Sequence, residues 1–565
     1  MSLSYASGCG EMPLLGETIG QNLDRIARSF PGRDALVAVD QCRRWTYAEL
    51  NADIDVLARA LLAEGVEPGD RIGIWAPNCP EWVLTQYATA KIGAVLVCIN
   101  PAYSEHELSY VLRQSGVSVL LTITSNRGAD YRSMVVAARH ETPDLRRVVY
   151  FNDASWSELI AGADKTSAEA LQGRTAELSF DDPINIQFTS GTTGRPKGAT
   201  LTHHNILNNG YFVGELLHYS EHDRICIPVP FYHCFGMVMG NLAAISHGAA
   251  IIIPSAAFDP AATLRAVQQE RCTSLYGVPT MFIAALALPE CSTFDLTSLR
   301  TGIMAGAPCP IAVMREVIER LHMQEVGICY GMTETSPVST MTCSDDDIRR
   351  RTETVGRAMP HVQVKVVDPA TGRLVPRGVV GEMCTRGYSV MRGYWRDSEQ
   401  TRQALDEAGW MHTGDLAVMD ESGYISIVGR IKDMVIRGGE NIYPREIEEF
   451  LFTHPDIADV QVVGVPDERY GEEVMACIRL REGATPMTAE SLQVFCDGRL
   501  ARYKIPRYVR VMDSFPMTVT GKIRKIDLRR QAQDWLAQSD LDRLVQLAPS
   551  CRQSLRKDET SPPSA

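Results

Sequence analysis

Between residues 35 and 252, short β-branched runs alternate with amphipathic helical patterns, and this alternation narrows the fold more than any other feature of the chain. Tyr47–Ala63 carries a helical period, while Arg71–Trp75 and residues 93–99 are apolar runs of strand length. Such alternation predicts parallel sheets covered by helices. Further units of the same kind occur at residues 274–278, 299–305 and 325–330. From 362 to 428 the texture changes to short alternating strands with turn signals, Asp368-Pro-Ala-Thr-Gly372 and Asp420-Glu-Ser-Gly423 among them, which predicts a β-rich subdomain. A compact α+β segment follows Gly429-Arg430, with a helix opening at Tyr443-Pro444 and a strand at 460–465.

At 565 residues the chain exceeds what one core supports, so a large, subdivided N-terminal part and a smaller C-terminal part are expected. The boundaries expected are 1–429, a hinge at 430–433, a second domain at 434–548, and a disordered tail at 549–565 rich in Ser, Pro and charge. Lys plus Arg number 56 against 69 for Asp plus Glu, a net charge of −13. That balance argues against nucleic acid or an anionic membrane as the main partner. No apolar run is long enough to span a bilayer, and the first residues lack an export signal, so a soluble cytoplasmic protein is expected. Fifteen scattered cysteines without a Cys-x-x-Cys pair suit reduced, buried thiols.

Thr189-Ser-Gly-Thr-Thr-Gly-Arg-Pro-Lys-Gly198 follows the alternating apolar run 184–188. Backbone N–H groups near Gly191 and Gly194 can wrap phosphate oxygens, hydroxyls of Thr189, Ser190, Thr192 and Thr193 add donors, and Lys197 adds charge. A nucleoside triphosphate is the ligand this chemistry favours. The P-loop NTPase pattern is not met, because Pro196 stands where glycine should precede the lysine and Gly198 follows it.

Tyr330-Gly-Met-Thr-Glu334 is expected at the carboxyl end of a strand, where open α/β sheets bind ligands. There Tyr330 can pack on a purine, Thr333 can donate to a phosphate and Glu334 can hold Mg²⁺. Thr413-Gly-Asp415 precedes Arg430 in the β-rich stretch and offers a carboxylate for ribose hydroxyls, while Thr520-Gly-Lys522 presents one lysine on a turn. Each motif alone also fits an ordinary surface turn or ion pair.

Together with Ala305-Gly-Ala-Pro308, Pro230-Phe-Tyr-His-Cys-Phe-Gly-Met237 and the run from Lys432 to Gly438-Gly-Glu-Asn-Ile-Tyr-Pro444, these motifs resemble the adenylate-forming superfamily of acyl-CoA synthetases. Within it, the medium-chain fatty acyl-CoA synthetases of the family member 2 type are the nearest likeness. The resemblance implies an α/β fold: a large N-terminal domain of two sheet-and-helix subdomains plus a β-barrel-like one, and a small mobile α+β C-terminal domain. It also implies two half-reactions, in which ATP and a carboxylate form acyl-AMP and pyrophosphate and the thiol of coenzyme A then displaces AMP.

On that likeness Thr189, Ser190, Gly191, Thr192, Thr193, Gly194, Arg195, Pro196 and Lys197 hold the phosphates, and Gly306, Ala307, Pro308 and Tyr330 frame the adenine. Thr333 meets the α-phosphate, Glu334 the Mg²⁺, and Asp415 with Arg430 the ribose. Lys522 would bridge the carboxylate and the α-phosphate, with Lys432 as hinge and Gly438 and Gly439 lining the pantetheine tunnel. His233 would flank the acyl entry. Tyr211, Phe235, Met237, Tyr276, Met304 and Val338, none of them charged, are the acyl-pocket candidates and favour an aliphatic acid over an amino acid, while the small Gly302, Gly306 and Gly331 leave room compatible with short to medium chains. Arg437, Lys504 and Arg507 are candidates for the CoA phosphates. A hydroxylated, keto or branched acid and a separate carrier protein as acceptor are the alternatives, although no Gly-x-Asp-Ser-Leu carrier segment is present. The expected partners are therefore a carboxylic acid, ATP and CoA, with a homodimer left open. A regulatory protein with dead chemistry is disfavoured, since Lys522 and Glu334 are both in place.

Overall fold

The computed structural model describes residues 2–189, 196–307, 309–438, 440–467, 469–517 and 523–537. Two compact units emerge: Met1–Val379 with Met383–Thr413 and Met419–Ser426, and Ile427–Ala565 with Val380–Glu382 and Gly414–Val418.

The first unit holds two seven-stranded sheets. One runs Gly393–Tyr394, Lys197–Thr202, Pro183–Thr189, Val95–Cys98, Arg71–Trp75, Val117–Thr122, Arg147–Tyr150. Its last five strands are parallel, and its first three pair antiparallel. The other runs Glu325–Gly327, Thr301–Met304, Ser274–Gly277, Arg224–Cys226, Ala250–Ile253, Asp34–Ala38, Arg43–Thr46, and is parallel up to its last pair. Strands covered on both faces read as continuous apolar runs, and Ala250–Ile253 and Val95–Cys98 are buried throughout. The helix Pro80–Ile92 is buried along its whole length. Even Lys91 lies inside, its ammonium 2.6 Å from Asp24 and 2.5 Å from Asp55.

Local signals set the helix limits. The helix Tyr47–Ala63 starts at a capping box, where Glu49 N donates to Thr46 Oγ1 and Thr46 N donates to Glu49 Oε2.

One expectation needs correction. Residues 325–330 do not form a single strand: Glu325–Gly327 stays in the parallel sheet, and Cys329–Gly331 joins a three-stranded antiparallel sheet with Val338–Met341 and Arg357–Ala358. The break falls at Ile328, whose N–H donates to Thr342 Oγ1 and whose carbonyl accepts from Thr342 N, both at 2.9 Å. Tyr330 therefore lies just past the parallel sheet's carboxyl edge rather than on it.

In the β-rich stretch, Val362–Val367 pairs with the N-terminal strand Tyr5–Ser7. The second unit has its own sheet, in which Ile457–Asp467 and Gly471–Leu480 form a long hairpin and Tyr508–Val511 runs parallel to the latter. Helices Pro444–Leu451 and Ala489–Cys496 bury Ile447, Leu451 and Leu492 against Val460, Val462, Ile478 and Val509.

All fourteen described cysteines are free thiols, nine of them buried. Burial pushes the Cys98 thiol up to about 12 and Cys496 to about 11, so they stay protonated at neutral pH. No helix among the described residues is long and apolar enough to cross a membrane.

Candidate active site

The strands Pro183–Thr189 and Lys197–Thr202 pair antiparallel with Thr189 opposite Lys197, which fixes both ends of the Ser/Thr/Gly-rich segment face to face. Ser190, Gly191, Thr192, Thr193, Gly194 and Arg195 lie outside the described residues. Pro196 presents its carbonyl to the Tyr110 hydroxyl at 3.2 Å. The Lys197 ammonium donates to Gln400 Oε1 and stands 5.0 Å from the centroid of the Tyr394 ring.

Glu334 sits in the 3₁₀ turn Thr333–Thr335, 5% exposed, immediately after Gly331 and Met332. Its Oε1 accepts from the Tyr394 hydroxyl at 2.7 Å, and its carbonyl accepts from Met391 N at 2.9 Å. Burial first, and then the neighbouring carboxylate, hold the Tyr394 phenol far above its ordinary value, so it remains a hydrogen-bond donor. Thr333 is buried in the same turn and interacts with the Cys234 thiol, which also donates to Gln187 Oε1 at 2.8 Å. Tyr330 pairs in register with Thr340. Gly306 and Ala307 follow the strand Thr301–Met304 at the surface of the second sheet's end, and Pro308 is outside the described residues.

Thr189, Lys197, Thr333 and Glu334 thus belong to one neighbourhood, linked through Tyr394. Oxygen donors, an ammonium and a buried carboxylate within one such neighbourhood can hold a polyphosphate with its cation.

In the second unit, Asp415 on Met411–Met419 accepts from Arg430 Nε at 2.8 Å, the arginine side chain being 65% exposed. Lys432 lies in the 3₁₀ turn Ile431–Asp433, where its carbonyl accepts from Arg529 Nη1 at 3.1 Å. Gly438 has φ +58°, in the region that favours glycine, and a Cβ there would stand 3.2 Å from Tyr470 Cδ1. Gly439 and Lys522 are outside the described residues.

Against this geometry stand the relatives. The AMP-binding enzyme family model matches residues 23–395, and that of the AMP-binding enzyme C-terminal domain matches 446–522. YngI of Bacillus subtilis, named provisionally as an acyl-CoA synthetase, is 49% identical over 537 residues, 92% of this chain and 97% of its own. The chain belongs to the adenylate-forming acyl-CoA synthetases. The mitochondrial medium-chain acyl-CoA ligase ACSF2 of Danio rerio is 45% identical over 556 residues, 95% of this chain and 92% of its own. ATP-bound MatB from Rhodopseudomonas palustris superposes with a TM-score of 0.82 at 32% identity, covering 92% of this chain and 99% of that one. This synthetase is accordingly an enzyme that ligates an acid to CoA through an adenylate.

The acyl-pocket candidates of the synthetase lie in several packing environments. Phe235 stacks on Tyr276 with centroids 5.7 Å apart, and the Tyr276 hydroxyl donates to Met239 O while accepting from the Tyr219 hydroxyl, both at 3.0 Å. Met237 faces the other sheet, its sulfur accepting from Gln187 Nε2 at 2.8 Å. Tyr211 stacks on His247 at 5.1 Å. Met304 packs in the core with Leu275, Phe282 and Met314, and the Val338 backbone is bound on both sides by the Asn209 amide. His233 Nδ1 accepts from Phe235 N at 3.2 Å. Phe235 opens an eight-residue π-helix, Phe235–Leu242, a rare element that often marks functional sites and that no apolar period announces.

The basic residues expected at the CoA phosphates are committed elsewhere. Arg437 and Arg507 both hold the buried Glu473, at 2.7 and 3.5 Å, Arg507 also holds Asp467 at 3.0 Å, and Lys504 grips Glu446 at 2.6 Å. Tyr394 and Gln400 carry no motif of their own and escaped the sequence reading.

Proposed function

We propose that this synthetase activates a short- to medium-chain aliphatic carboxylic acid. The buried aromatic contact beside His233, where Phe235 stacks on Tyr276, supports this reading: an aliphatic tail gains about 0.8 kcal/mol per buried CH₂ against such a surface. The medium-chain name of relatives 41–45% identical over most of the chain supports it.

A thiol does not usefully attack a carboxylate, because oxide is a prohibitive leaving group. The acid is therefore first joined to the α-phosphate, with pyrophosphate leaving, and the thiolate of CoA then attacks the acyl carbon of that mixed anhydride and expels AMP. In this reading Lys197 and the 189–196 segment hold the β- and γ-phosphates, Thr333 meets the α-phosphate, Tyr330 with 306–308 frames the adenine, and Asp415 with Arg430 takes the ribose. Lys522 stabilises the charge that grows on the α-phosphate as the carboxylate attacks. Rotation at Lys432 would then withdraw it and let Gly438 and Gly439 line the path of the pantetheine.

Glu334 fits a hard cation: it is a buried carboxylate with one oxygen already positioned by a hydroxyl at 2.7 Å. Glu334, with Thr333 beside it, would hold the Mg²⁺ that offsets polyphosphate charge.

The test is a panel of carboxylic acids from C2 to C16, with hydroxylated, keto and branched members, assayed for AMP and pyrophosphate release with and without CoA. AMP release peaking on unbranched acids of intermediate length and requiring CoA for turnover is the expected result. ADP as product, or a maximum on a polar acid, overturns the reading.

A further inference from the structure

Two side chains outside the motifs, Tyr394 and Gln400, touch both of the oppositely charged groups in the first unit's site. Gln400 Oε1 accepts from the Lys197 ammonium, which also faces the Tyr394 ring at 5.0 Å. At its far end the same tyrosine donates its hydroxyl to Glu334 Oε1 at 2.7 Å. One tyrosine thus contacts both the ammonium and the carboxylate.

Both holders are fixed by backbone. Tyr394 lies opposite Ala199 in the short edge strand Gly393–Tyr394, and its N–H donates to Thr401 Oγ1 at 2.9 Å. Asp397 caps the helix Ser398–Ala404 by accepting from Gln400 N at 3.0 Å. The neighbouring Trp395 N donates to Gly198 O at 2.7 Å, which clamps this segment to the strand that carries Lys197.

The chemistry of the holders is informative. A lysine and a glutamate free to meet in a half-buried site pair directly, and that pair must then be broken before phosphate and cation can bind. An amide oxygen, a π-face and a phenol hydroxyl orient these charges without cancelling them. We propose that Tyr394 and Gln400 are positioning residues, a neutral spacer that orients Lys197 and Glu334 toward a polyphosphate and its cation without pairing the two with each other. This rests on the reading that Lys197 meets the phosphates and Glu334 the Mg²⁺.

The experiment uses the full-length enzyme in ATP–pyrophosphate exchange at saturating acid, with the ATP and Mg²⁺ dependences measured separately and thermal midpoints recorded for each variant. Gln400→Glu gives Lys197 a charged partner and should raise KM for ATP about tenfold, the equilibrium weight of one hydrogen bond between charged groups, with kcat at saturating ATP within about twofold. Gln400→Met, which removes the tether without adding charge, should raise KM for ATP about threefold, less than Gln400→Glu does. Tyr394→Phe keeps the ring, loses only the donor, and should raise the Mg²⁺ concentration for half-maximal rate about tenfold. Wild-type ATP dependence in Gln400→Glu, equal effects of Gln400→Met and Gln400→Glu, or a wild-type Mg²⁺ requirement in Tyr394→Phe each overturn the spacer. Lys197→Ala separates the levels: if it raises KM for ATP while Gln400→Glu does not, the spacer alone has failed, and if it too leaves KM unchanged, the phosphate-binding reading beneath it has failed.

Discussion

Gly331 offers a sharp test of the site's geometry. It pairs with Val338 across the small antiparallel sheet, and a Cβ built on it would lie 1.8 Å from the Pro337 carbonyl oxygen and 2.8 Å from its carbon. A carbon and a carbonyl oxygen rest at roughly 3.3 Å, so Gly331→Ala must open the backbones by about 1.5 Å. Neither partner has a rotamer with which to yield. Overpacking of this kind costs about 1–3 kcal/mol, which a protein of this size registers as a thermal midpoint lower by a few degrees at most. The functional loss should be larger, because Tyr330 and Glu334 flank the displaced residue on the same short segment. A misplacement of about 1 Å at a reacting site costs about 10²-fold, equivalent to about 2.7 kcal/mol of transition-state stabilisation. ATP–pyrophosphate exchange with octanoate, measured beside circular dichroism melting, reads both effects. An alanine variant that keeps kcat/KM within about threefold of wild type would refute the reasoning, since the close approach would then play no part in placing Tyr330 and Glu334.

Asp415→Asn should raise KM for ATP about tenfold while leaving the thermal midpoint nearly unchanged, because the Arg430 partner is mostly exposed and such pairs stabilise little. If Asp415 reads the ribose, the variant also loses wild-type discrimination against 2′,3′-dideoxy-ATP, and retained discrimination removes it from that role. Lys522→Ala should lower acyl-AMP formation by about 10²–10³-fold yet spare thioester formation from supplied acyl-AMP, and Gly439→Leu should do the reverse; equal loss of both half-reactions in either variant contradicts its assignment. Burial lowers the His203 imidazole from 6.5 to about 3, its Nδ1 accepting from Ile19 N at 3.2 Å. Because the unfolded chain binds that proton more readily, the stability this site contributes is present above about pH 6.5 and is lost as pH falls toward 3, by at most about 1.4 kcal/mol per unit. Melting at pH 7 and pH 4.5 should therefore show a smaller acid loss for His203→Asn, whose side-chain oxygen can replace the acceptor, and identical losses would exclude His203 as a contributor.

Particular elements show how far a linear reading reaches. The limits of Tyr47–Ala63 and Arg71–Trp75 were legible residue for residue, because their determinants are a cap three positions from its partner and an unbroken apolar run. The segment 325–330 misled, since what ends its strand at Gly327 is Thr342, which captures the backbone of Ile328 from fourteen residues away. Arg437 and Arg507 looked available for phosphate because nothing local reveals Glu473, which both of them neutralise inside the second unit. Tyr394 and Gln400 carry no periodicity or motif, and their meaning appears only when an edge strand from residue 393 returns to Lys197, 203 positions earlier than Gln400.

The linear order of residues determined this protein's chemistry and its class of architecture: which hydroxyls, glycines, carboxylates and lysines are present at nucleotide-binding spacings, and that helices alternate with apolar strands. Those properties are written in neighbours a few positions apart, within reach of a single turn or cap. Tertiary structure alone decided which charges face each other and which are already neutralised, which apolar side chains share a wall, and where a chain must bend. Each of these depends on contacts between residues far apart in the chain, whose energies exist only once packing has brought them within a few ångströms.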